Sequence, residues 1–318
     1  MIYRGLETHP GEGAGKPMPT MSRRGFVQTA GAVAAGTVVS GTPARAAAEV
    51  GGAGGRVPFR LGIVTYMIAA DWDVPTILKV CKNVGITDVE LRTTHEHGVE
   101  PSLDKGQRQT VRRQFADAGV NLWGLGTTCE FHSPDGAVVR KQIETCKQFI
   151  DLARDVGAKG VKVRPNGLPK EVPVEKTLEQ IGKSLVPCGA AAADAGVEIW
   201  VEVHGSGTAK PANMKAIMEH CGHKAVGVTW NSNADDVVNG SVAESFALLK
   251  PWILSCHINQ LYNDALGRYP YRELFSLLRS AGYDRPTLCE VGKGMPTPET
   301  GEEMLRYYKA LWTELARG

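Results

Sequence analysis

The 318-residue sequence has no C-x-x-C pair, no G-x-G-x-x-G after its first strand-like run, and no basic excess in its main body. After the amino-terminal segment, no stretch approaches the ~20 apolar residues that a membrane-spanning helix needs. Each absence excludes something. Cys81, Cys129, Cys146, Cys188, Cys221, Cys256 and Cys289 are scattered and odd in number, which reads as buried free thiols and not as a disulfide framework or structural zinc site. The formal charge of +2 arises at the amino terminus. The first 48 residues hold five Lys/Arg and two Asp/Glu, which leaves 31 basic against 32 acidic groups. A near-neutral body argues against nucleic acid as a partner, since phosphate contacts call for a basic face. Hydrophobic residues at 42% and charged residues at 22% are ordinary for a globular enzyme.

The amino-terminal segment differs from the rest. In "MSRRGFVQTAGAVAAGTVVSG", Arg23 and Arg24 stand two residues before Phe26, followed by a weakly apolar run of Ala, Gly and Val that leads to "TPARAAAE". The layout resembles a twin-arginine export signal with an A-x-A-type cleavage site near Ala46 to Ala48. Residues 1–48 are therefore expected to be a leader and 49–58 a Gly-rich linker. The implied location is periplasmic or exported, with no membrane anchor once the leader is removed.

From residue 59 to 318, short β-branched runs alternate with longer helical patterns. Strands are expected in "RLGIVTYM", "DVELRTT", "NLWGLGTTCEF", "GVKVRP", "VEIWVEVHG", "AVGVTWNSN", "ILSCHINQLY" and "PTLCEVG". Helices are expected near 74–84, 104–118, 138–156, 176–195, 211–221, 242–249, 271–280 and 299–316. Gly85, Gly119, Gly157 and Gly196 follow four of them as stop signals. Eight strand–helix units in about 260 residues match a single (β/α)8 barrel. A doubly wound open sheet is the alternative, and the missing glycine fingerprint disfavours it.

Strand side chains alternate between two faces, so polar residues two apart share one. Glu90 pairs with Arg92, Lys162 with Arg164, and Trp200 with Glu202 and His204. Asn231 pairs with Asn233 and His257 with Asn259, while Glu290 stands alone between Cys289 and Val291. Buried ionised groups need partners or a metal, so their convergence at the carboxyl ends of strands marks the site. Glu202, Asn231, His257 and Glu290 offer an oxygen-rich set with one imidazole. That set suits one divalent ion (Mn²⁺, Mg²⁺, Co²⁺, Fe²⁺ or open-site Zn²⁺) better than a closed structural zinc. In "VGVTWNSNADD", Val226, Val228 and Trp230 are expected to face the helices and Asn231 and Asn233 the mouth. Asp235 and Asp236 follow in a solvated loop from which either could reach inward.

"EVHG", "TWNSN", "CHINQLY" and "LCEVG" resemble the sugar phosphate isomerase/epimerase family of xylose isomerase-like barrels, over about residues 60 to 316. The resemblance implies that Glu202, Asn231, His257 and Glu290 hold the metal and that Glu202 and Glu290 are catalytic, moving protons on opposite faces of a sugar. It also implies substrate contacts from His204, Arg164, Lys162, His132, Glu90, Asn233 and Asn259. Many members carry Asp where this chain has Asn231, and His where it has Ala234. They commonly have Lys and Asp at the positions of Asn259 and Gln260. A neutral Asn removes one negative charge, so weaker or differently selected metal is expected. The implied activity is a metal-dependent sugar isomerase or epimerase. The alternatives are a lyase or dehydratase acting on a keto-sugar or keto-glycoside, and a degenerate sugar-binding barrel. The partner in each case is a small-molecule sugar, and a homo-oligomer is compatible with all three.

Overall fold

A computed structural model describes residues 57–292 and 297–318; the expected leader and most of the linker lie outside them. Eight parallel strands close into a barrel in sequence order: β1 (Arg60–Val64), β2 (Asp88–Arg92), β3 (Asn121–Glu130), β4 (Gly160–Arg164), β5 (Glu198–Glu202), β6 (Val226–Asn231), β7 (Ile253–Ile258) and β8 (Pro286–Cys289). Each is followed by a helix: α1 (Val74–Val84), α2 (Lys105–Ala118), α3 (Gly136–Val156), α4 (Val174–Ala195), α5 (Pro211–Cys221), α6 (Ala243–Leu249), α7 (Tyr271–Ser280) and α8 (Pro298–Arg317). The expected (β/α)8 barrel is the observed fold. Among the described residues, no helix is long and apolar enough to cross a membrane.

Local chemistry sets the helix boundaries. Asp73 accepts from the Thr76 N–H at the start of α1, and Asp104 forms a reciprocal capping box with Gln107 at α2, satisfying donors that have no intrahelical partner. Gly85, Gly119, Gly157 and Gly196 end α1 to α4 in the left-handed conformation, as their positions in the sequence lead one to expect. Strands stop earlier than the β-branched runs suggest. β1 ends at Val64 and β5 at Glu202, although the next N–H of each, on Thr65 and Val203, still donates to the neighbouring strand at the carbonyls of Glu90 and Thr229.

Two apolar layers form around the strands. The outer one packs strand residues against the helices and includes Trp230, whose ring lies 5.8 Å from Phe246. The inner one is small: Val64, Trp123, Trp200 and Leu288, with Leu254 against them. Trp123 and Trp200 stack with centroids 5.1 Å apart and an interplanar angle of 18°. Their indole N–H groups donate to Ser255 Oγ and Glu198 Oε2. Below them Arg285 lies over the Trp123 ring at 5.2 Å and grips Glu198. This stack floors the barrel interior one pleat step below Glu202.

The floor depends on two missing side chains. A Cβ at Gly124 would come within 2.6 Å of the Trp200 ring, and one at Gly160 within 2.5 Å. Trp200 is fully buried and stacked, so it has nowhere to move. Gly160→Ala is expected to destabilise the fold by roughly 1–3 kcal/mol through overpacking, read as a lower urea midpoint at unchanged m-value. An unchanged midpoint would mean that the stack is loose.

All seven cysteines are buried and unpaired.

Candidate metal centre and substrate cavity

The carboxyl ends of β5 to β8 each deliver one donor. Glu202 and Asn231 are the last residues of β5 and β6, His257 lies in β7, and Glu290 directly follows β8, with its N–H tied to the Ile258 carbonyl. Donor atoms of Glu202, His257 and Glu290 lie within 4.8 Å of one another. His257 Nδ1 stands 3.6 Å from both Glu202 Oε1 and Glu290 Oε2. Asn231 Nδ2 donates to Glu202 Oε1 at 3.3 Å, which leaves Asn231 Oδ1 buried and unpartnered.

Glu90 sets the orientation of His257. Its Oε2 lies 3.2 Å from His257 Nε2, so that nitrogen carries the hydrogen and Nδ1, buried without a hydrogen-bond partner, points at the carboxylates. A carboxylate behind a ligating imidazole is the arrangement that fixes tautomer and ring angle at metal sites. Glu90 was expected among the substrate contacts; it is instead fully buried behind His257 and off the cavity wall. Two residues from the end of β2, it sits one layer deeper than Arg92 on the same face. Gly126 on β3 makes room for it, since a Cβ there would lie 2.8 Å from Glu90 Oε1.

A cavity of about 410 Å³ opens above these groups, lined among others by Glu202, Asn231, Glu290, Lys162, Arg164 and His204. Lys162 Nζ contacts Glu202 Oε2 at 2.6 Å, and its side chain is only 7% exposed. Arg164 and Asn166 both donate to Glu130 Oε1 at 2.6 Å. His132 stands 3.9 Å from the other Glu130 oxygen and, unlike the expectation, is not on the wall. His204 lines the cavity with Nδ1 buried and unpartnered. Asn233 and Asn259 line it too, their amide nitrogens held by the carbonyls of Val203 and Ser232. Arg92, Tyr66 and Gln260 also reach the wall without having been singled out as site residues. For Arg92 the signal was present, since it shares the face of Glu90 and ends its strand.

The charges are mutually supported. Burial alone would push the Glu202 carboxyl up, but the Lys162 ammonium and then His257 outweigh it and hold it well below the usual carboxylate range. Burial opposes a charged His257, yet Glu90 and Glu290 raise it well above its usual value. Lys162 is likewise raised against its burial by Glu202 and Glu90. A divalent ion suits the same place: two carboxylates, an orphaned amide oxygen and the His257 nitrogen that Glu90 turns toward them converge there, and such an ion would replace the proton on that nitrogen.

The loop after β6 differs from the expectation. Asp235 is exposed as expected, but Asp236 is fully buried and turned away from the mouth. Its Oδ2 accepts from the Asn233 N–H at 2.9 Å and the Tyr269 hydroxyl at 3.0 Å, and Tyr269 in turn accepts from Trp230 Nε1. Burial pushes this carboxyl up to about 7. An acid raised in the folded state stays protonated while the unfolded chain ionises, so its contribution to stability is complete below pH 3.8 and is lost as pH rises to about 7. Asp236→Asn keeps an acceptor for both donors and removes that slope. The stability difference between variant and parent should grow in the variant's favour across this window, by at most about 1.4 kcal/mol per pH unit, and then level off. Parallel pH profiles from denaturant titrations would show that Asp236 is not the titrating group.

Solved structures share the architecture. L-ribulose 3-epimerase superposes with a TM-score of 0.68 at 18% identity, covering 81% of this chain and 94% of that one. The IolI protein with a bound zinc atom gives 0.66 at 17%, covering 81% and 98%. An apo 3-keto-D-glucoside 4-epimerase from E. coli gives 0.64 at 13%, covering 79% and 99%. At these identities the likeness is one of fold. No curated protein matches the sequence. A family model does match, over residues 78–311, and the chain accordingly belongs to the xylose isomerase-like TIM barrel family.

Proposed function

We propose that this protein is a divalent-metal-dependent sugar isomerase or epimerase that removes a proton next to a carbonyl, with Glu202 and Glu290 moving the protons. The observation that carries this reading is the convergence of Glu202, His257 and Glu290 within 4.8 Å, beside an unpartnered Asn231 oxygen, at the base of a polar cavity. The fold shared with sugar epimerases supports it. The reading of residues 1–48 as an export leader supports a location outside the cytoplasm and, with it, a free or oxidised sugar as substrate.

Glu202, Asn231, His257 and Glu290 would hold the ion, Mn²⁺, Mg²⁺, Co²⁺, Fe²⁺ or Zn²⁺, which when bound supplies Lewis acidity to a substrate carbonyl and the adjacent hydroxyl. Glu202 turns Oε1 toward His257 and Asn231, and its Oε2 meets Lys162. Lys162 therefore stands where a proton enters or leaves Glu202. Glu290 is the more open carboxylate, with an 18% exposed side chain, and can exchange a proton with a ligand from the β8 side. His204, Arg164, Asn233 and Asn259 orient hydroxyls from the rim.

Elimination from a keto-sugar is the second reading, and one observation favours it. The Lys162 ammonium lines the cavity next to a carboxylate, where it can protonate a departing oxygen. Candidate sugars incubated in deuterated water separate the two: carbon-bound deuterium with no group lost indicates epimerisation, and an enone indicates elimination. Glu202→Gln and Glu290→Gln should each lower turnover by about 10²–10⁴, the usual worth of a positioned acid or base. Unimpaired turnover in either would remove that residue from the proton path. Asn231→Asp, by adding a charge to the donor set, should tighten Mn²⁺ by roughly tenfold, whereas Asn231→Ala weakens it. Indifference of metal affinity to both changes would mean that Asn231 is not a ligand, and absence of bound Mn²⁺ in the parent would leave only a sugar-binding barrel.

A further inference from the structure

Most cations around the cavity already have a carboxylate. Lys162 is held by Glu202, and Arg164 by Glu130. Arg92, at the end of β2 on the opposite wall, makes no ion pair among the described residues, although it lines the same cavity and is half-buried. A guanidinium in that position costs free energy to desolvate unless something meets it.

Its orientation is fixed by its surroundings. The Arg92 N–H donates to Thr65 Oγ1 at 2.9 Å, and its carbonyl accepts from His97 Nε2 at 2.8 Å. Its Nη1 donates to the Thr93 carbonyl at 2.6 Å and to Thr94 Oγ1 at 2.5 Å. The Tyr66 ring lies 5.6 Å from the guanidinium carbon, and Tyr66 is itself 41% exposed at the mouth. Thr94 pays for its place with a φ of +67°, a conformation that a β-branched residue rarely adopts. Glu100 clamps that turn, accepting from Thr93 Oγ1 with both carboxylate oxygens and from the Thr94 N–H. Strain held in place by a clamped turn is what pre-organisation of a binding group looks like.

What remains free is decisive. With Nη1 engaged, Nε and Nη2 have no protein partner among the described residues, and neither is sealed off as a buried orphan. Those two nitrogens form one edge of the guanidinium, with parallel N–H vectors that match the two oxygens of a carboxylate. We infer that Arg92 is a specificity residue that receives a carboxylate on the substrate, so that the cavity takes a sugar acid with its acidic end toward β2 and its reacting carbons toward β5 to β8. The inference rests on reading this cavity as a sugar site and deepens it by naming the class of sugar. Export favours an oxidised sugar over a sugar phosphate, which offers the same edge a different oxyanion.

Calorimetric titration of the full chain with D-glucuronate, D-glucose and D-glucose 6-phosphate, with and without Mn²⁺, tests this. Glucuronate should bind at least roughly tenfold tighter than glucose, the scale of one charge-assisted pair, and tighter than the phosphate. Arg92→Gln should erase the preference, bringing the ratio of glucuronate to glucose affinity down to about one, and Arg92→Lys, which keeps charge without the fork, should fall between. Equal affinity for glucose and glucuronate overturns the inference, as does undetectable glucuronate binding, tighter phosphate binding, or a preference that survives Arg92→Gln. If Arg92→Gln does not fold, the parent's ratio and Arg92→Lys decide. If Mn²⁺ fails to bind but the glucuronate preference depends on Arg92, the carboxylate subsite stands and the metal-dependent reading falls.

Discussion

His257 is the group on which the other charges of the β5–β8 wall depend. It has no exposure to solvent, and carboxylates from β2, from β5 and from the residue after β8 surround its two nitrogens. Glu90 on one side decides which nitrogen carries hydrogen, and so decides that the other faces Glu202 and Glu290. Removing any member would leave a buried charge without a partner, which is costlier than never having built the pair. The cluster is therefore a unit, and Lys162 belongs to it through its contact with Glu202.

This cluster stands one pleat step above the Trp123–Trp200 stack, and the two layers impose opposite demands on the same strands. In β4, Gly160 must have no side chain so that Trp200 fits, whereas Lys162, two residues on and on the same face, must reach upward to Glu202. In β5 the same face carries Trp200 and then Glu202. A barrel strand only five residues long thus passes from packing to chemistry in one step of its pleat.

That periodicity explains what is legible in the sequence. Face parity follows from the pleat alone, so the inward placement of Glu202, Asn231 and His257, and the outward placement of Trp230, can be read from alternation. Helix ends are legible because aspartate caps and C-terminal glycines act locally. Depth is not legible. Glu90 and Arg92 share a face, and only the barrel's register puts one beneath His257 and the other on the cavity wall. Positions past the strand ends escape as well, because loop geometry and not the pleat sets them: His132 turns back to Glu130, and Asp236 folds onto the Asn233 N–H and meets Tyr269 from a segment distant in sequence.

Charge balance then links the centre to the far wall. With a divalent ion in place and His257 neutral, the carboxylates of Glu90, Glu202 and Glu290 are balanced by the ion together with Lys162. Asn231 matters to that balance because it is neutral; a carboxylate there would leave the buried cluster with excess negative charge. On the proposed reading, a balanced centre would stabilise the charge that develops when a proton leaves a sugar carbon, with the ion and Lys162 supplying the positive charge, but it would hold no surplus for a second, permanent negative charge on the ligand. Such a charge must be met elsewhere on the wall. Arg92, with its strained and clamped turn and its open guanidinium edge, is the cation placed to do so.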